Sequence, residues 1–167
     1  MLVAAMNPCP CGNYGSATQP CRCTPKEIAR YLGRISGPLL DRIDMQLEVT
    51  AVPVRQITES APEEPSGEIH KRVQAARVRQ QERYADEGIS SNAELSARQL
   101  EQFCPLDDAC RELIGKACDT YNLSMRAVSR VRKVARTIAD LAGAEEIGRA
   151  HLLEALRYRN LEGNYWK

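Results

Sequence analysis

Ser124-Met125-Arg126-Ala127-Val128-Ser129-Arg130-Val131-Arg132-Lys133-Val134-Ala135-Arg136-Thr137-Ile138-Ala139-Asp140-Leu141 is the stretch on which the fold reading turns. Val128, Val131, Ala135, Ile138 and Leu141 recur at three- and four-residue spacing, the stripe of a helix that buries one face. Ser124 precedes it as an N-cap. Arg126, Arg130 and Lys133 fall opposite the stripe, with Arg132 and Arg136 nearby. Arg126 lies in the first turn, where the helix dipole disfavours a cation, so a positive side chain there makes more sense beside an anion. A solvated basic face accounts for the same charges equally well.

The flanking segments extend the helical pattern. Ser96-Ala97-Arg98-Gln99 starts a short helix that ends at Cys104-Pro105, and residues 107–120 place Cys110, Leu113, Ile114 and Ala117 at helical spacing. Residues 148–158 close the pattern with Leu152, Leu153 and Leu156. Upstream, a helix with Ile69, Val73 and Ala76 on one face follows the polar, Pro-rich connection 61–67, and 88–92 breaks it. Cys104, Cys110 and Cys118 read as small core hydrophobes. His70 and His151 have no partner at ligand spacing and receive no role.

The first 60 residues differ in kind. Leu2 to Met6 reads as a short buried strand that stops at Asn7-Pro8, and its abrupt start suggests a piece of something larger. Residues 7–23 form a Cys/Gly/Pro-rich loop. Thr24-Pro25-Lys26-Glu27 is a helix start with Thr at N-cap, Pro at N1 and Glu at N3, and that helix should run to about Arg34 before Ser36-Gly37-Pro38. Residues 44–52 alternate, with Met45, Leu47, Val49 and Ala51 on one face and Gln46, Glu48 and Thr50 on the other, the pattern of a half-exposed strand.

Bulk properties bound the function. A chain of 167 residues makes one ordinary domain or two small ones. Its net charge of +1 removes any argument from overall basicity for nucleic-acid binding. With a single Phe103 and a single Trp166, the core is aliphatic and points to helix packing. No apolar run approaches the ~20 residues of a membrane span, and the N-terminus lacks the basic start of a signal peptide. The expected compartment is cytoplasmic, where thiols stay reduced, and an odd count of seven cysteines fits that better than a disulfide framework.

Two short stretches carry specific chemistry. Cys9-Pro10-Cys11 and Cys21-Arg22-Cys23 offer four soft thiolates in two close pairs, the donor set of structural zinc, though the one-residue bite is tighter than the common knuckle. A flexible loop of reduced, inert cysteines is the alternative. In Gly37-Pro38-Leu39-Leu40-Asp41-Arg42-Ile43-Asp44, a Gly-Pro turn leads to an isolated arginine, well placed to reach a phosphate in a neighbouring subunit. Spacing alone favours a local ion pair of Arg42 with Asp41 or Asp44.

Together these stretches resemble the magnesium-chelatase-like AAA+ ATPases of the YifB/ComM group. The resemblance rests on Met6-Asn7-Pro8-Cys9-Pro10-Cys11-Gly12, Pro20-Cys21-Arg22-Cys23, the 37–44 run, Ser124-Met125-Arg126 and Val134 to Leu141, and covers nearly the whole chain. It implies a fold that is an α/β remnant plus an all-α part, predominantly helical: residues 1–60 as the last part of a AAA+ core with a Cys-rich insertion, 61–91 as a connecting helix and linker, and 92–167 as a helical lid. It implies that Asn7 matches sensor 1, Arg42 the arginine finger, and Arg126 sensor 2, with Arg130 beside it for nucleotide phosphate. The sequence holds no Gly-x4-Gly-Lys-Ser/Thr loop and no apolar strand ending in Asp-Glu. Both are expected upstream in a longer parent, so the chain alone should neither bind ATP tightly nor hydrolyse it. The implied cofactors are ATP and magnesium in that parent, while zinc rests on the cysteine pairs alone; the implied partners are neighbouring ring subunits and, for the intact protein, DNA, which the resemblance does not by itself fix. Three functions remain open: an ATP-driven motor processing DNA, a chelatase-type remodeller of a protein partner, and a zinc-clipped helical interaction domain. The last leaves Asn7, Arg42 and Arg126 unexplained.

Overall fold

A computed structural model describes residues 1–16, 18–49, 52 and 63–159. Seven α-helices and one 3-10 turn occur among these residues: α1 Pro25–Leu32, α2 Gly37–Leu40, α3 Ser66–Arg83, the 3-10 turn Asn92–Glu94, α4 Ala97–Phe103, α5 Asp108–Tyr121, α6 Met125–Leu141 and α7 Arg149–Arg157. The predominantly helical class expected from the sequence is the one observed. No helix among the described residues is long and apolar enough to cross a membrane.

Local chemistry explains the helix starts. Thr24 at α1 and Ser96 at α4 both form reciprocal capping boxes, with Glu27 and Gln99 returning the bond to the cap backbone. Asp107 accepts from the Cys110 amide at 2.7 Å, and Ser124 accepts from the Ala127 amide at 3.1 Å. At the end of α6 the Gly143 amide bonds the Asp140 carbonyl at 3.1 Å and the Ala144 amide bonds the Ala139 carbonyl at 2.8 Å. This Schellman arrangement needs the left-handed backbone that Gly143 supplies at φ 76°.

The core lies between α6 and the helices around it. Val131, Ala135, Leu152, Leu156, Leu100, Cys104 and Cys110 are buried there, and Tyr84 meets Phe103 edge to face at 5.1 Å. Cys104 and Cys110 pack as the sequence suggests, and burial pushes both thiols up to about 11. Four apolar assignments need correction. Leu141 and Leu153 are exposed, and on α3 Ile69 and Val73 are exposed while Ala76 and Gln80 are buried. The α6 seam runs Val128, Val131, Ala135, Ala139, so the 3.6-residue period carries Leu141 off it. Only the second half of α3 packs against the bundle.

The two strand readings find no β ladder among the described residues. Leu2 and Val3 are exposed, and in the alternating segment Met45, Leu47 and Val49 are exposed whereas Gln46 is buried, the reverse of the expected faces. Thr50 and Ala51 lie outside the described residues. A strand is held by hydrogen bonds to a neighbouring strand, and no described residue supplies one here. The Gln46 amide instead donates to the Tyr158 carbonyl at 2.8 Å, and its side-chain Nε2 to the Leu40 carbonyl at 3.4 Å.

The basic face of α6 is also corrected. Arg136 is 2% exposed and donates to the Ala144 and Glu145 carbonyls at 2.7 Å each. Arg132 donates to the Leu100 and Cys104 carbonyls at 3.1 and 2.8 Å and pairs with Glu101. Lys133 donates to the Ala93 carbonyl at 2.9 Å. These cations serve carbonyls at the ends of neighbouring elements, where the residual charge is negative.

Asp140, one helical turn beyond Arg136, is the centre of a buried polar network. It accepts from Arg136 at 3.1 Å, from Asn92 Nδ2 at 2.9 Å, and from both terminal nitrogens of Arg83. Asn92 in turn accepts from the Tyr84 hydroxyl at 2.6 Å and donates to Thr137 at 2.9 Å. Burial alone would raise the Asp140 carboxyl, but the hydrogen bonds from Arg83 and Asn92 and the charge of Arg136 leave it below the usual carboxylate range. A depressed folded pKa stabilises the fold above the unfolded value of about 3.9, and that stabilisation is lost as pH falls through the folded value. Asp140→Asn should cost about 3–5 kcal/mol in urea unfolding at pH 7, because two arginines lose their counter-charge. Urea midpoints below about pH 4 should fall in the wild type and change less in the variant; equal acid dependence of the two would contradict this assignment.

Candidate functional site

Three arginines and one asparagine single themselves out in the sequence, and the fold treats them differently. Asp41, just after α2, lies at the start of α6. The Ser124 hydroxyl donates to both Asp41 oxygens at 3.0 and 3.2 Å, while Arg159 Nη2 lies at 3.4 Å and Arg126 Nη1 at 3.7 Å. The anion that Arg126 and the helix end call for is therefore supplied within the chain. Arg126 keeps 57% of its side chain exposed, so its head remains open to an external partner. Gly37, Pro38, Asp41, Asn122, Ser124 and Arg126 line an open groove at this junction.

Arg130 is committed to Asp44, with which it makes a close ion pair. Arg159 donates to the Ile43 carbonyl. The segment after α2 is thus tied to α6 and to the end of α7 at 41, 43, 44 and 46.

Arg42 stands in the middle of these ties. Both carboxylates that could have neutralised it locally are engaged by Ser124, Arg126, Arg159 and Arg130 instead. Its side chain is exposed, and Nη1 makes a 3.3 Å bond to the Pro38 carbonyl, with no ion pair among the described residues. The local pairing that spacing favours is not formed. No hydrogen bond or ion pair among the described residues joins Asn7 to Arg42 or Arg126. Asn7 is exposed beside Gly12, where a Cβ would lie 3.8 Å from its Nδ2.

The four N-terminal cysteines are brought together. Their Sγ atoms all lie within 4.8 Å of one another, with Cys9–Cys11 at 3.4 Å, Cys11–Cys21 at 3.6 Å and Cys9–Cys21 at 3.8 Å. Backbone amides point at the sulfurs: those of Arg22 and Asn13 toward Cys11, that of Cys23 toward Cys21, and that of Cys11 toward Cys23. The Arg22 and Asn13 amides bring the Cys11 thiol down to about 6. Burial and the adjacent Cys11 and Cys9 sulfurs push Cys23 up to about 12. A soft, four-sulfur donor set of this size fits zinc.

Sequence reasoning missed the acids. Sequence offers Asp41 and Asp44 only as partners for Arg42, and no periodicity marks a residue that pairs 83 or 86 positions away. His151, assigned nothing from sequence, accepts from the Gly148 amide at 3.1 Å and caps α7.

Comparison with known proteins agrees with this layout. Residues 63–159 match the family model for the C-terminal part of magnesium chelatase subunit ChlI, and residues 1–57 match that for magnesium chelatase subunit ChlI. The chain is 41% identical over 159 residues to competence protein ComM of Haemophilus influenzae, covering 95% of this chain and 30% of that protein. It is 41% identical over 162 residues to YifB of Salmonella typhimurium, an uncharacterized protein, covering 96% of this chain and 31% of that one. The chain thus spans about a third of the relatives it matches.

The Ser124 hydroxyl both caps α6 and holds Asp41, so Ser124→Ala should lower stability by about 1 kcal/mol in urea unfolding. Ser129→Ala, whose hydroxyl only returns a bond to the Met125 carbonyl, should change it by less than about 0.5 kcal/mol. Equal effects would remove the special role of the Ser124 hydroxyl.

Proposed function

Since the chain belongs to the magnesium chelatase ChlI family, we propose that it is the C-terminal part of a ring-forming AAA+ ATPase that couples ATP hydrolysis to DNA processing. In this reading residues 1–60 end the ATPase core, 61–91 connect, and 92–167 form the lid. The observation that carries it is Arg42: an exposed guanidinium whose two neighbouring acids, Asp41 and Asp44, are held by Ser124, Arg126, Arg159 and Arg130. An arginine with no counter-ion among the described residues, on a segment tied down on both sides, suits an arginine finger, which must reach the γ-phosphate of a neighbour with little reorganisation.

Arg126, with its exposed head at the α6 start, takes the sensor 2 role toward phosphate. Arg130 acts beside it by holding Asp44 rather than as a free phosphate ligand. Asn7 takes the sensor 1 role, positioning the attacking water. ATP and magnesium are the cofactors of the longer protein, bound mostly by residues outside this chain. Zinc in the four-cysteine cage is a structural addition to this proposal, independent of the ATP chemistry. A relative named for competence favours DNA as the substrate; the family's chelatase name favours the other reading, a motor that remodels a protein partner for metal insertion.

The test uses the longer protein. Arg42→Ala should lower ATP turnover on the order of 10³-fold while leaving nucleotide affinity within a few-fold. Parallel loss of affinity and turnover would refute the finger assignment. Single-stranded DNA should stimulate the wild-type turnover, and a DNA-indifferent motor would shift the reading to a protein substrate. The isolated chain should show no magnesium-dependent ATP hydrolysis.

A further inference from the structure

We propose that Cys9, Cys11, Cys21 and Cys23 together hold one zinc ion in a closed structural site, and that this metal fixes the turn beside which Asn7 lies. The proposal stands apart from the ATPase reading, since it concerns only the geometry of residues 7–23.

The geometry of the cage points to the metal. A tetrahedral ion with metal–sulfur bonds of about 2.3 Å separates its sulfurs by about 3.8 Å. The three closest sulfur pairs lie at 3.4, 3.6 and 3.8 Å, and all four sulfurs fall within 4.8 Å. Thiols crowded this closely without a cation have only weak hydrogen bonds to offer one another. With a dication they become four charged ligands, and the thiol protons leave to solvent on binding.

Sulfur-only donors exclude magnesium and calcium, which take oxygen ligands, and leave zinc or iron, which the metal analysis below tells apart. The amides of Arg22, Asn13, Cys23 and Cys11 aimed at three of the sulfurs are the outer support that thiolate charge requires. Four protein ligands leave no open position for water or substrate, so the site is structural rather than catalytic.

The link to Asn7 is local. The Gly12 amide donates to the Cys9 carbonyl at 3.0 Å, closing a turn across the first cysteine pair. Gly12 adopts φ 83°, which glycine tolerates and other residues rarely do. The Asn7 amide group lies in van der Waals range of the position a Gly12 Cβ would take, so metal, turn and Asn7 share one small unit.

The experiment uses this chain, purified from zinc-supplemented medium without chelator. Metal analysis should give about one zinc per chain, and replacement by cobalt(II) should give the thiolate-to-metal absorption of a tetrahedral sulfur site. Cys9→Ser combined with Cys21→Ser should drop zinc below a half equivalent, whereas Cys118→Ser, outside the cage, should retain it. Less than a half equivalent in the wild type, or full retention in the double variant, would overturn the site. Far-UV circular dichroism of the double variant tests for general unfolding; zinc retained by Cys118→Ser with equal helicity makes the comparison decisive. Chelator stripping should shift the Asn7 side-chain amide resonance, identified by its loss in Asn7→Asp. An unmoved resonance would overturn the positioning role and leave the metal site standing.

Discussion

A buried carboxylate sets the arrangement of this bundle. Asp140 has no side-chain exposure and is surrounded by Arg136 from its own helix, Arg83 from α3 and Asn92 from the 3-10 turn. A charge taken out of water must be met by donors at close range, so α3, the 3-10 turn and α6 have one relative placement that satisfies it. The Tyr84 hydroxyl and Thr137 complete the donors and acceptors of Asn92, and Gln80 accepts from its backbone amide at 3.1 Å. Apolar packing of Val131, Ala135 and Leu152 supplies the driving force, but that surface would tolerate a rotated or slipped helix far better than this network does.

From that fixed core, α6 projects its other end toward the 37–46 segment. The same helix that carries Arg136 and Asp140 carries Arg126 and Arg130, with Ser124 as its cap, about two to four turns away. A rigid α6 therefore transmits the position of the core to the acids that flank Arg42. Asp41 and Asp44 each give their charge to the helical bundle, and the arginine between them has no ion pair among the described residues. The ties are polar and mostly exposed, worth little individually, and several acting on one short segment restrain it more than any one would.

How much of this could be read from sequence divides along a physical line. Features decided within one or two turns were legible: the capping boxes at Thr24 and Ser96, the serine cap of α6, the stripe through Val128, Val131 and Ala135, and the burial of Cys104 and Cys110. Features decided by partners far along the chain were not. Arg132 and Arg136 look like solvated cations in any helical projection, because nothing local announces the carbonyls they serve. The alternation of Met45, Leu47 and Val49 describes a strand accurately only when another strand lies beside it, and among the described residues that neighbour is missing. Gln46 is buried for a different reason, its bonds to Tyr158 and Leu40.

The exposed apolar residues at 2–3 and 45–49 have the composition of buried surface, and they coincide with the segments whose pattern asks for strand partners. Solvated singly such residues need no explanation, but alternating along one segment they mark a face built to be covered. The polar contrast is Arg42, exposed beside that face on a segment whose other charges are satisfied. The 42–49 segment thus combines exposed apolar side chains with an arginine that has no ion pair among the described residues, while Asp140 is met by donors on every side of its carboxylate.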